Sequence, residues 1–130
     1  MSEAQEQKAV IDWWSKAYPK YYQCLFSSLN GVKLSGSKTA RAKQVNSLKA
    51  QGMLTGVSDL QLTVARGGYH GLFLEMKDQG KTECAVSDVQ WEFIYAMREQ
   101  GYYATWKAGA GNAIELLDDY MKGNIVKDEG

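Results

Sequence analysis

Proline is almost absent from this sequence: Pro19 is the only one. Its 13 glycines form no repeat. Together these features exclude collagen-like and proline-rich linker classes. Cysteine is nearly as scarce. Cys24 and Cys84 stand far apart, and neither falls in a CxxC or Cys/His cluster. That argues against a disulfide framework and a zinc site. Both thiols are expected to be reduced and half-buried, as in an intracellular protein. His70 is the only histidine. No apolar run reaches the length of a bilayer span, and the opening MSEAQEQKAV has neither a basic start nor an apolar stretch. The expectation is a cytoplasmic protein with no membrane partner.

One more absence is local. From Trp13 to Ser58 there is no acidic residue, and the stretch carries a charge of +7. Residues 59–130 carry −5 and residues 1–12 carry −2, so the formal net charge is zero. Taken whole, a neutral chain argues against a strongly basic nucleic-acid binder. Taken in parts, it fits a polyanion-binding face beside a cation-binding one, or plain segregation on a solvated surface.

What is present is ordinary for one soluble domain. The chain has 130 residues, 45% apolar and 23% charged, enough to bury its own core. A single domain is expected over residues 1–123, followed by a charged, fraying tail at 124–130.

Ser2 and Gln5 read as a capping box. Beyond it, Glu3, Gln7, Val10, Trp14 and Ala17 share one stripe of a helix that Pro19 stops near Tyr18. Residues 21–29 are aromatic and apolar and read as a strand, ended by Asn30-Gly31. A second, basic helix is expected over 38–51, with Gly52 as its stop. Leu60, Leu62 and Val64 alternate with Gln61, Thr63 and Ala65, as in a half-buried strand. The Gly-rich 66–71 segment then reads as a hairpin connection into 72–77. There Leu72, Leu74 and Met76 face one way while Phe73, Glu75 and Lys77 face the other. Apolar residues on both faces suggest a central strand. Ser87 and Gln90 form a second capping box, for a helix reaching about Gln100. A last strand over 102–106 and a last helix over 112–122 complete the order α-β-α-β-β-α-β-α. That is an α/β domain with a central mixed sheet flanked by helices.

The chemistry concentrates at Asp59 and Glu75-Met76-Lys77. Glu75 and Lys77 emerge on one face of one strand, and Asp59 opens the strand before it. Burying two carboxylates and an ammonium in an apolar sheet is costly without compensation. A divalent cation would supply it, since Mg²⁺ takes a couple of carboxylates plus waters and phosphate oxygens. An ammonium beside a metal-bound water suits attack on a phosphodiester. The competing explanation is a solvated same-face pair on a surface strand.

These motifs together resemble the VRR-NUC family of the PD-(D/E)XK nuclease superfamily, with its restriction-endonuclease-like fold. The matching segments are Gly56-Val57-Ser58-Asp59, Arg66-Gly67-Gly68-Tyr69-His70-Gly71, Phe73-Leu74-Glu75-Met76-Lys77, Ser87-Asp88-Val89-Gln90 and Gly101-Tyr102. Upstream, Gln7 with Trp13, Leu29-Asn30-Gly31 and Ala40-Arg41 fit as well. Ser58 stands where the superfamily pattern has proline.

The resemblance implies a metal held by Asp59, Glu75 and the backbone carbonyl of Met76, either Mg²⁺ or Mn²⁺, with no small-molecule cofactor. It implies that Lys77 orients or activates water and that Gln90 completes the site. Glu3 would add a carboxylate from the first helix, with Glu6 as its rival. Asn30, Lys33, Lys38, Arg41, Lys43 and His70 are the candidate DNA contacts. The implied protein is a structure-specific endodeoxyribonuclease, a homodimer cutting branched DNA such as Holliday junctions, in the cytoplasm of a bacterium or a virus-infected host cell. A flap- or nick-directed nuclease and a non-catalytic DNA-binding module of the same fold are the alternatives.

Overall fold

The computed structural model describes residues 1–28 and 34–128. Its first helix, α1 (Glu3–Ala17), opens with the expected capping box. The Ser2 hydroxyl accepts from the Gln5 N–H at 3.2 Å, and the Gln5 side chain accepts from the Ser2 N–H at 2.9 Å. These satisfy two of the amides that a helix start leaves unpaired. The helix stops at Tyr18, ahead of Pro19. Glu6, Val10 and Trp14 are its buried residues.

The strand expected from Tyr21 begins later. Pro19–Cys24 forms a 3-10 helix, and β1 covers only Leu25–Ser27. Proline presets the backbone angle of a first helical turn. The Trp14 indole then fastens that turn by donating to the Tyr21 carbonyl at 3.1 Å. Asn30 and Lys33 lie outside the described residues.

The remaining elements fall in the expected order. They are α2 (Lys38–Ala50), β2 (Leu60–Leu62), β3 (Leu72–Lys77), α3 (Asp88–Glu99), β4 (Tyr103–Ala108) and α4 (Ala110–Met121). β2 is shorter than its alternating pattern suggested, although Val64 beyond it is still buried. The last helix starts two residues before Asn112, for a reason given below. The tail is held at least through Lys127, whose N–H donates to the Gly67 carbonyl at 2.7 Å. Cys24 is half-buried and Cys84 exposed, and both are free. No helix among the described residues is long and apolar enough to cross a membrane.

The sheet runs β1-β2-β3-β4. The first three strands are antiparallel neighbours, and β4 joins β3 in parallel after the α3 crossover. Alternation along β3 sorts the core into two layers. Leu72, Leu74 and Met76 pack with Val10 and Trp14 of α1 and with Leu116, Leu117 and Tyr120 of α4. Phe73 packs on the other face with Ile94 of α3 and Ala104 of β4. Glu75 and Lys77 belong to the second face, at the strand's C-terminal end. Cleft-forming chemistry in open α/β sheets gathers at such ends.

Candidate active site at the end of the central strand

The β2–β3 register pairs Leu60 with Leu74. One step further it sets Asp59 opposite Glu75, as the hairpin reading expected. Asp59 is locked there from both sides. Its Oδ2 accepts from the Met76 N–H at 2.7 Å, and its backbone carbonyl accepts from the Ser28 N–H at 2.9 Å. Met76 itself turns its side chain into the core and is 1% exposed. Only its backbone therefore reaches the site.

Glu75 is 3% exposed. Its Oε1 accepts from the Gln90 side-chain amide at 3.0 Å and lies 3.8 Å from the Lys77 ammonium. Its Oε2 is buried and receives no hydrogen bond from a neighbouring donor, so only a proton held between Glu75 and Asp59 pairs the two acids. A buried acceptor left in this state is costly. Burial pushes the Glu75 carboxyl up from 4.5 to about 9, the Asp59 charge adds to the rise, and Lys77 opposes it. A carboxyl with so high a pKa, facing a second carboxylate, is a place where positive charge is missing.

Gln90 holds two positions at once. It is the third residue of α3, and its Oε1 accepts from the Ser87 N–H at 2.9 Å in a capping box. Its Nε2 is the donor to Glu75. One amide thus fixes the helix start and the acid together. The approach of α3 to the preceding loop is close. Gly56 has φ +84°, and a Cβ there would meet the Val89 side chain at 2.4 Å.

Glu3, Asp59, Glu75, Lys77 and Gln90 line one cleft of about 450 Å³. Val45, Met53, Thr55, Gly56 and Val57 complete its walls. Glu3 rather than Glu6 is therefore the α1 acid at the cleft. Glu6 is 4% exposed, and its carboxylate accepts from the Ala110 N–H at the start of α4. The sequence carries no local mark that places the loop residues Met53 and Thr55 at the cleft. They lie in an irregular connection between α2 and β2.

The basic candidates separate. Lys38, Arg41 and Val45 follow a three-then-four spacing, so they share one face of α2. Val45 lines the cleft, which places the two exposed cations on a stripe leading to it. Lys43, two residues from Val45, faces the opposite side. His70 lies at the other end of β3, its ring against Tyr102 at 5.8 Å and its N–H donating to the Gly101 carbonyl at 3.0 Å.

Among the described residues, no group of three or more His, Cys, Asp or Glu forms a metal cluster. A cation here would rest on Asp59, Glu75, a backbone carbonyl and water. All are hard oxygen donors, and the unpaired Glu75 Oε2 fits such a guest.

An α/β domain with paired acids, a lysine and a glutamine at the end of its central strand is nuclease-like. The structure is similar to a solved "VRR_NUC domain protein" at a TM-score of 0.78 and 25% sequence identity, over 95% of this chain and 90% of that one. The fold thus agrees with the VRR-NUC resemblance carried by the motifs. No family model matches the sequence, and no curated protein matches it.

Proposed function

We propose that this protein is a divalent-cation-dependent endodeoxyribonuclease that hydrolyses phosphodiester bonds in branched DNA, such as four-way junctions, as a homodimer. The observation that carries the reading is Glu75. A buried carboxylate with one unpaired oxygen, opposite Asp59 and beside Lys77, is poorly suited to a structural role. It is well suited to hold a cation.

Asp59, Glu75 and the Met76 carbonyl would hold Mg²⁺ or Mn²⁺, which supplies Lewis-acid stabilisation of phosphate charge and lowers the pKa of water. The Lys77 ammonium orients the attacking water and offsets negative charge as the phosphate is attacked. Gln90 fixes the Glu75 carboxylate, and Glu3 adds a further carboxylate to the cleft wall. Lys38 and Arg41 lie where a phosphate backbone entering the cleft would pass. Lys43 and His70 stand apart from that path. A domain of 130 residues spans little DNA. Two copies about a twofold axis suit paired cuts in a symmetric junction.

The test is a panel of end-labelled four-way junctions, flaps and nicked duplexes with Mg²⁺, Mn²⁺ or EDTA. The expected result is paired, metal-dependent cutting of junctions. Lys77→Ala should lower the cutting rate by about 10³-fold or more with little change in melting temperature. Cutting of flaps alone would replace the substrate. If no DNA is cut with either metal, the enzyme reading fails and a DNA-binding module remains.

A further inference from the structure

α4 starts without a cap of its own. Its N-cap position is Gly109, which offers no side chain, and the residues after it are Ala110 and Gly111. Four amides at such a start need partners. One is supplied from the far end of the chain, where the buried Glu6 carboxylate accepts from the Ala110 N–H. Gly109 has φ +83°, and a Cβ there would stand 3.0 Å from Glu6 Oε2. The glycine therefore supplies both the left-handed backbone and the space for the acid.

The joint lies beside the catalytic strand. The Gly109 N–H donates to the Lys77 carbonyl at 2.9 Å. Glu6 thus anchors the first turn of α1 to the backbone that carries Lys77. Glu3 sits in that same turn, three residues earlier, on the cleft wall. The capping box fixes the α1 start within itself, and among the described residues the Glu6 bond is the side-chain hydrogen bond that ties this turn to another element.

We infer that Glu6 is a positioning residue for the active site: it caps α4 from α1 and so holds Glu3 at the cleft. Its effect on cleavage passes through Glu3 and not through contact with DNA or metal. The inference rests on the nuclease reading for its kinetic part and on the apo fold alone for its structural part.

The experiment compares Glu6→Ala and Glu6→Gln, each with and without Glu3→Gln. Amide hydrogen exchange in the metal-free protein is the first readout. Glu6→Ala should speed exchange at Ala110 and in the first turn of α1. Glu6→Gln, which keeps a carbonyl acceptor, should restore most of the protection. Single-turnover cleavage is the second readout. Glu6→Ala and Glu3→Gln should each slow it by roughly 10-fold, and in the Glu3→Gln background Glu6→Ala should cost less than about 2-fold more. Multiplying losses would overturn the positioning role. Unchanged exchange in Glu6→Ala would overturn the joint, whether or not the protein cuts DNA. If Glu6→Ala does not fold, the cycle is run with Glu6→Met, which keeps the bulk of the side chain but offers no oxygen acceptor, and is read by the same two criteria. Normal exchange changes with no cleavage by any variant, the parent included, would sink the nuclease reading and leave the joint standing.

Discussion

α2 and α4 are nearly equal in length, at 13 and 12 residues, yet they are built for different work. α4 buries Ala113, Leu116, Leu117, Tyr120 and Met121, and α2 buries nothing. α2 carries Lys38, Arg41, Lys43 and Lys49 with no acid, whereas α4 carries Glu115, Asp118 and Asp119 with no base. Both sit near the cleft, since Val45 lines it and α4 starts beside the Lys77 backbone. The contrast sets a buried, acidic scaffold helix against an exposed, basic one, which the proposed function makes the contact helix. It also explains how a neutral chain can present a basic surface. Glu115, Asp118 and Asp119 lie on α4 and Asp59 and Glu75 in the cleft, while the bases of α2 stand together on a helix without an acid.

The contrast breaks most sharply in stability. Leu117→Ala should cost about 2–5 kcal/mol, because it empties a fully buried position. Leu48→Ala on α2 should cost under about 1 kcal/mol, as expected of a side chain outside the core. Chemical denaturation of both variants checks the pair, and equal losses would erase the distinction.

Glu75 gives an effect of intermediate size, with a sign set by pH. Its carboxyl is raised to about 9 in the folded protein, while in the unfolded chain it titrates near its ordinary value. The folded state therefore favours the proton. Ionising Glu75 erodes stability as pH climbs from the unfolded value towards about 9. Without divalent cation, Glu75→Gln should stabilise the protein by about 1–3 kcal/mol at pH 8. The gain should fade towards pH 5, and cleavage should be lost at every pH. Thermal melts across that range decide it, and a gain that grows on acidification would reverse the assignment.

The smallest expected effect belongs to the contact helix. Lys38→Ala and Arg41→Ala should each weaken junction binding by about 3- to 10-fold and reduce the salt slope by about 1. Lys43→Ala, on the far side of α2, should do neither. A salt titration of binding, with catalysis blocked by EDTA, measures all three.

Much of this was legible in the sequence because local rules and the fold agree. The two capping boxes, the Pro19 stop and the alternation along β3 each set an element and a face. The pairing of Asp59 with Glu75 followed from a hairpin bracketed by turn residues. The 3-10 helix at Pro19–Cys24 was missed because its aromatic content mimics a strand while proline and the Trp14 indole hold it in a turn. The start of α4 was missed for the opposite reason. Helix starts are read from a nearby Ser, Thr, Asp or Asn, and here the cap comes from Glu6. The choice between Glu3 and Glu6 was likewise closed to local reasoning, since both lie in the first turn of α1 and only tertiary contacts separate them.

The two ends of α1 are tied to the two ends of α4. Glu6 meets Ala110 across 104 residues of sequence, and the Tyr18 hydroxyl meets Asp118 at 2.6 Å across 100. Neither tie can form on the ribosome until the last helix has emerged. The entropy of closing so long a loop must be met before either contact repays it. The joint beside the candidate site is thus among the last contacts a nascent chain can make, and that chain carries its basic helix well before it.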